Sequence, residues 1–425
     1  MVHRIYKSVI RPILTYVSVV WWTAIDKKCN VITLQTTPMR TTPTRALETI
    51  LYIHPVDIQI KFEAAITALR LKAMNEWIDN GHYTPHENIL QATIGHSINH
   101  FESDRIPETR AITLCEILIP DRDSWSSGTL AHMPPGNCCY TDGSRLAGKT
   151  GLGLFIEEPG TEISLRLPDH NTILQAEVQA ITECLRWLSS NSGHNNINIM
   201  TDSKHAINAI TSKTVTSKTV LECIKTINNF SRHGLVRIIW VPGHSGVIGN
   251  EIANQLARRA TDLINIDVNS AKPFSASRLE MRSWAEEAHK TLWNNERTGK
   301  NTKILWGDPN EDKTKQILTL NKKELSRLIG ILTGHLNLQS HLHKIGCSGS
   351  SRCRACGEDN EPLEHFLCHC PAFACIRTQF LKNDTIPELN DLRGCEWKIL
   401  KDFCKNTEFL EEYGDQTKNL RVIPI

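Results

Sequence analysis

The sequence lacks an excess of charge of either sign. Its 48 lysines and arginines stand against 46 aspartates and glutamates, a formal net charge of +2 over 425 residues. That balance neither demands nor excludes a nucleic-acid partner, because a local basic patch is enough. A disulfide framework is also missing. The 14 cysteines are scattered along a long chain, which excludes a small secreted scaffold and leaves mostly reduced thiols with one metal cluster. No convincing membrane span occurs. The apolar run from Arg11 to Ile25 follows His3, Arg4 and Lys7 and imitates a signal anchor, but Arg11 and Pro12 interrupt it and it is short for a bilayer. No small-residue cleavage site follows, so the run is expected to be a buried core segment. The nucleus or cytoplasm is the expected location, with neither secretion nor a membrane involved. A solenoid is excluded too: the only duplication is "TSKTV" repeated once across Thr211–Val220, which lengthens a surface between two helices.

What is present suits two or three domains with an ample core, as the length and the 40% hydrophobic content indicate. Residues 1–118 read as mostly helical, with Ala64, Ala65, Ala68, Leu69 and Leu71 at helical spacing. Residues 119–135 are rich in turn formers and read as a linker. The texture changes over 136–264. Three strand-like segments come first, the third alternating Ile163, Leu165 and Leu167. A helix follows with Ala180, Ile181, Cys184, Leu185 and Leu188 on one stripe, then a strand, helical matter, a strand and a helix. This order predicts an α/β fold, a mixed sheet flanked by helices. Residues 265–275 read as a second linker, and 276–425 as a helical region that turns rich in cysteine and histidine.

Three carboxylates stand out by position. Asp142 and Asp202 end the first and fourth strands, and Glu177 shares the apolar stripe of Ala180 and Ile181. Taken singly they are turn and cap residues. Taken together, a carboxylate on a core-facing stripe beside two at strand ends predicts a hard divalent cation with oxygen ligands. His244 lies in a glycine-bearing loop, which on its own suits a solvent-exposed residue, and Asn254 lies on the helix after it.

The segments "YTDGS", "QAEVQAI", "TDSKHAI" and "WVPGHSGVIGNEIANQLA" recur in the order and spacing of a known family. Residues 136–262 resemble ribonuclease H type 1 domains. The resemblance implies a ribonuclease H-like fold and cleavage of the RNA strand of RNA–DNA hybrids with two Mg²⁺ ions, or Mn²⁺. It makes Asp142, Glu177, Asp202 and Asn254 the metal set and His244 the mobile histidine, the five together being the catalytic group. Two features depart from the pattern. Asn254 stands where the family has a fourth acid, which predicts weaker hold on one ion. Ile173 and Leu174 replace an asparagine pair that contacts the hybrid, so recognition is expected to lean on backbone groups and 2′-hydroxyls.

Cys353-x₂-Cys356-x₈-His365-x₄-Cys370 has the ligand types and spacing of a zinc knuckle, with Cys368 and His369 as alternative ligands. Arg352 and Arg354, with His341, His343 and Lys344, are expected to set this 353–370 segment against a phosphate backbone. The same region, and the N-terminal "IYKSVIRPILTYVSVVWW" and "RTTPTRALETILYIHP", resemble the C-terminal part of non-LTR (LINE-type) retrotransposon polyproteins. That implies a reverse transcriptase thumb-like remnant over 1–118. No paired-aspartate palm motif and no endonuclease region is found, so the chain is not expected to polymerise DNA; it reads as a truncated copy or the tail of a longer polyprotein. Three readings follow: a Mg²⁺-dependent ribonuclease of hybrids, a catalytically weakened nucleic-acid-binding remnant, and a fragment assembling with a retroelement polyprotein.

Overall fold

The computed structural model describes residues 43–74, 76, 88–94, 102–126, 129–130, 132–191, 196–384 and 386–407. The segment expected to form a buried core over Arg11–Ile25 lies outside them. By their contacts the described residues form two units, one from 64–282 and one joining residues before 64 to those after 282.

Helices α1 (Thr44–Ile50), α2 (Val56–Ala73) and α3 (Ile89–Ile94) come first, then strands β1 (Arg105–Arg110), β2 (Glu116–Leu118), β3 (Trp125–Ser126) and β4 (Thr129–Leu130). Strands β5 (Asn137–Leu146), β6 (Lys149–Ile156) and β7 (Thr161–Leu167) lead into α4 (Ile173–Asn191). After them come β8 (Ile197–Thr201), α5 (Lys204–Ile210), β9 (Thr214–Ser217), α6 (Lys218–Phe230), β10 (Val236–Trp240) and α7 (Ile248–Ala260). The main sheet has the order β2-β10-β8-β5-β6-β7. Strands β2, β10, β8 and β5 are parallel, while β6 and β7 join antiparallel. The expected mixed sheet flanked by helices is therefore present.

Alternation builds a core on each face. Cys139, Ile199 and Ile238 pack with α4, α5 and α6. Their neighbours Cys138, Met200 and Ile239 pack on the other face with Tyr140, Val241 and Ala253 of α7. All five residues of β8 are buried, as expected for a parallel strand covered on both sides. Helix α4 starts on a reciprocal cap: the Gln175 amide donates to Thr172 Oγ1 and the Thr172 amide donates to Gln175 Oε1.

The sheet reaches beyond the span expected from sequence. Strand β2 lies upstream of residue 136, yet pairs with β10 in register Ile117↔Ile238. Strand β1 pairs with β9 in a second, two-stranded sheet. Asn228 of α6 holds the connection between β1 and β2 from both sides, accepting from the Leu114 amide and donating to Ile112 O. The expected linkers are also engaged. Trp125 is buried against the α7-side core, and Arg166 and Asp267 bond each other's backbone at 2.8 and 2.9 Å. Turn-rich composition marks where these segments bend, but carries no sign of the strand edge they lie against.

Asp104 ties the upstream segment to the rest of this unit. Its buried carboxylate accepts from Thr219 N, Thr219 Oγ1 and Ser217 Oγ, at 2.6–2.9 Å. This splits the duplicated pentapeptide. The first copy ends α5 and begins β9, whereas in the second Ser217 caps α6 by accepting from Val220 N.

The second unit is helical. The last part of α8 (Phe274–Asn295) is followed by α9 (Lys300–Leu305), α10 (Glu311–Ile317), α11 (Lys322–Thr333), α12 (Gln339–Lys344), α13 (Ala374–Leu381) and α14 (Trp397–Asn406). Ile50 of α1 is buried with Leu328, Phe366 and Phe403 in its core, and Thr314 Oγ1 donates to Ile50 O. Residues 44–50 thus pack with the C-terminal region, a long-range partner that local periodicity does not reveal. Among the described residues no helix is long and apolar enough to cross a membrane.

Replacing Asp104 by Ala removes charge-assisted bonds from a helix start and a strand junction. It is expected to destabilise the 64–282 unit by about 2 kcal/mol in urea unfolding, with Asp104→Asn milder.

Candidate active site

Two acids meet because two strands run parallel in register. Tyr140 of β5 pairs with Met200 of β8, so Asp142 and Asp202, each two residues further on, stand side by side on the same face. Glu177 comes from α4. Gly143 lets that helix approach: a Cβ there would lie 2.6 Å from Glu177 N. One carboxylate oxygen from each of Asp142, Glu177 and Asp202 lies within 4.8 Å of the others. The structure therefore brings the three sequence-predicted acids together.

The cluster is costly without a counter-ion. Burial, then repulsion by Asp202, pushes Asp142 up to about 7. Burial, then Asp142 and Asp202, holds Glu177 well above the usual carboxylate range, and burial raises Asp202 as well. The Gly143 amide offsets part of the cost for Asp142 and Glu177. Glu177 Oε2 is buried with no hydrogen-bond partner. An unpartnered buried carboxylate oxygen facing two further carboxylates fits a hard, oxygen-liganded divalent cation.

The loop after β10 closes over Asp202. A Cβ at Gly243 would lie 2.9 Å from Asp202 Oδ2, so glycine is what lets the backbone pass there. His244 adopts a left-handed conformation at φ 52°, is 74% exposed, and sets Nδ1 3.8 Å from Glu251 Oε1. Its charge lowers the pKa of Asp202, so it stands near that acid.

Helix α7 faces the acids with residues at helical spacing. Asn250 Nδ2 makes a long, 3.5 Å hydrogen bond to Asp202 Oδ2. Glu251 raises the pKa of Asp142, and Arg258 lowers it. Asn254 lies between these positions, one turn from Asn250 and from Arg258, half-buried and with no side-chain hydrogen bond among the described residues. Asn250, Glu251, Arg258 and Gly243 escaped the sequence reading. The spacing of 250, 254 and 258 on one helix was the signal available.

A second cluster lies in the helical unit. Cys353, Cys356, His365 and Cys370 bring one ligand atom each within 4.8 Å of the others. Cys353 Sγ and Cys370 Sγ are 3.8 Å apart, the edge of a tetrahedron with metal–sulfur bonds of about 2.3 Å. Cys356 Sγ lies 3.4 Å from His365 Nε2. One π-helical turn, closed by Cys370 N donating to His365 O, places the last two ligands on one side. The alternatives fall away: Cys368 is buried in the apolar core, and His369 Nε2 pairs with Pro387 O. Arg354 does not face solvent phosphate as expected. Its guanidinium is held by the fully buried Glu361 at 2.8 Å and by Asn337 O. Arg352 and Lys344 remain exposed.

The geometry defines an α/β domain with a cluster of three carboxylates placed to hold a cation, and comparison sharpens that class. Residues 135–262 match the RNase H family and form a ribonuclease H domain. The chain is 30% identical to ribonuclease H1 of Homo sapiens over 152 residues, covering 32% of this chain and 52% of that protein. It is 26% identical to the Pol polyprotein of equine infectious anemia virus over 138 residues, 32% of this chain and 11% of that protein. Over 50 residues, 12% of each chain, it is 44% identical to the retrovirus-related Pol polyprotein from type-1 retrotransposable element R1 2 of Nasonia vitripennis. The chain spans about half the length of the ribonuclease H1 proteins it matches.

The acids also set a pH dependence. A carboxyl whose folded pKa exceeds its unfolded value stabilises the fold below the unfolded pKa, and that stability is lost as pH rises through the folded one. For Asp142 the window runs from the ordinary 3.8 to about 7, on the order of 4 kcal/mol. With divalent ions chelated, thermal unfolding is expected at higher temperature at pH 5.5 than at pH 8. Asp142→Asn is expected to flatten that slope and to be the more stable protein at pH 8.

Proposed function

We propose that this protein is an endoribonuclease that hydrolyses the RNA strand of RNA–DNA hybrids. The observation that carries the reading is the cluster of buried Asp142 and Glu177 with half-buried Asp202, holding an unpartnered Glu177 oxygen, inside a ribonuclease H domain. Asp142, Glu177 and Asp202 would hold two divalent ions, Mg²⁺ or Mn²⁺, with Asn254 offering a neutral oxygen. When bound, such a pair activates the attacking water and stabilises the leaving 3′ oxygen. His244, exposed on its loop near Asp202, moves a proton at the leaving side or eases product departure.

The surrounding chain supports descent from a retrotransposon polyprotein, in which residues 1–118 are a reverse transcriptase tail. The short R1-type similarity supports that origin. Such a remnant has the nucleus or cytoplasm as its place of action, and the described cysteines are unpaired, as reduced thiols there are. The Cys353, Cys356, His365 and Cys370 set takes one structural Zn²⁺, and Arg352 and Lys344 beside it meet nucleic-acid phosphate. The complete element polyprotein is a further partner.

Purified protein with Mg²⁺ is expected to cleave the RNA strand of a labelled hybrid, and Asp142→Asn to lose at least 100-fold in rate, roughly the worth of a key charge-stabilising group. Equal rates for both proteins would sink the reading. A second reading, a binding remnant with a weakened site, is favoured by Asn254 and by exposed Ile173 and Leu174 at the site's rim. Running Asn254→Asp alongside separates the two: a rate gain supports the enzyme, and hybrid binding without turnover in either protein supports the remnant.

Native mass spectrometry is expected to find about one zinc per chain, one Cys₃His set holding one ion. Cys370→Ser should lose that zinc and unfold the helical unit at lower temperature. A metal-free wild-type chain, purified reduced, would count against the site.

A further inference from the structure

One cation beside the acid cluster pairs with no carboxylate among the described residues. Lys204 opens α5, two residues after Asp202, and its side chain is exposed. Its Nζ lies 4.0 Å from the centroid of the Trp240 ring, within cation–π range. That indole is itself fixed: Trp240 pairs with Thr201 across the β8–β10 ladder, and its Nε1 donates to Asp202 O at 3.1 Å. The lysine is thus tethered through the indole to the backbone of a metal-site acid. Other cations near the cluster differ. Arg258, on α7, acts on Asp142 and lowers its pKa, and His244 stands 3.8 Å from Glu251.

We propose that Lys204, seated on Trp240, is a substrate-binding residue that holds a backbone phosphate of the hybrid beside the scissile position. The argument is one of charge and placement. Three carboxylates repel a polyanion, and an unneutralised ammonium at the β10 side of the cluster offsets that repulsion where a strand enters. The indole restricts a side chain that is otherwise free to wander, so less order is lost on binding. It also leaves the ammonium's protons free for phosphate oxygens, because the ring face accepts only the charge. This supplies a contact that the exposed, apolar Ile173 and Leu174, one turn before Glu177 on α4, do not make.

The inference rests on the hybrid-ribonuclease reading, and binding measurements separate the two. A fluorescent RNA–DNA hybrid is titrated in Mg²⁺ with proteins carrying Asp142→Asn, so that turnover does not interfere, from 50 to 200 mM salt. Adding Lys204→Met is expected to weaken binding and to lower the slope of log K against log salt by about one. The advantage of the parent protein should therefore shrink about threefold across that salt range. Lys204→Arg, which keeps the charge, should restore the slope, and Trp240→Leu should lose part of it while circular dichroism stays native. An unchanged slope in Lys204→Met, with the parent binding hybrid, overturns the role of Lys204 alone. A parent that binds no hybrid at any salt overturns the hybrid reading and this inference with it.

Discussion

The parallel pairing of β5 with β8 is the constraint on which the site depends. Because Tyr140 lies opposite Met200, Asp142 and Asp202 project side by side, and a shift of one residue would turn one acid to the far face. The third acid needs a different device. Glu177 sits on a helix that approaches the strand only because residue 143 has no Cβ, and at residue 243 a Cβ would crowd the Asp202 carboxylate, 2.9 Å from its Oδ2. The same economy recurs on the other face, where a Cβ at Gly153 would lie 2.1 Å from Ala253 O of α7. Close backbone approach therefore gathers and buries the acids, and burial, joined for Asp142 and Glu177 by repulsion from neighbouring acids, raises the pKa values of all three.

Much of this was legible in the sequence, for a physical reason. Strand alternation and the stripe through Glu177 are local patterns, and local patterns determine which element a residue occupies; the strand end and turn expected at Asp142 are absent, because pairing with β6 carries β5 on to Leu146. The three acids and the zinc-type ligands could be chosen on those grounds. What could not be read were partners distant in sequence. Nothing around Asp104 says that it will serve Ser217 and Thr219, more than a hundred residues on. Nothing around Ile50 announces a place in the core of Leu328 and Phe403. Arg354 looked like a phosphate contact because its charge was visible and its partner was not: Glu361, seven residues later, is wholly buried beneath it.

The duplicated pentapeptide makes the same point in reverse. Two identical five-residue sequences adopt different structures, one closing a helix and entering a strand, the other opening a helix. Local propensity is equal for both. The difference is Asp104, which takes the hydroxyls of Ser217 and Thr219 in the second copy, while in the first Ser212 Oγ turns to Thr214 O. A tertiary acceptor thus decides between two outcomes that the chain holds equally ready.

The two clusters divide by hardness, thiolates and imidazole in one unit and carboxylates in the other, so their donor chemistry suits different ions. Within the carboxylate cluster, Asn254 bears on the balance between stability and metal affinity. A fourth carboxylate on α7 would add repulsion to a group in which Asp142 is already raised to about 7. An amide in its place lowers the cost of the empty site and lowers the charge available to hold a second ion. Arg258, one turn further along α7, acts in the same direction by stabilising Asp142 in its ionised form. Helix α7 therefore eases the crowding of negative charge around Asp142 through Arg258, while Glu251 adds to it.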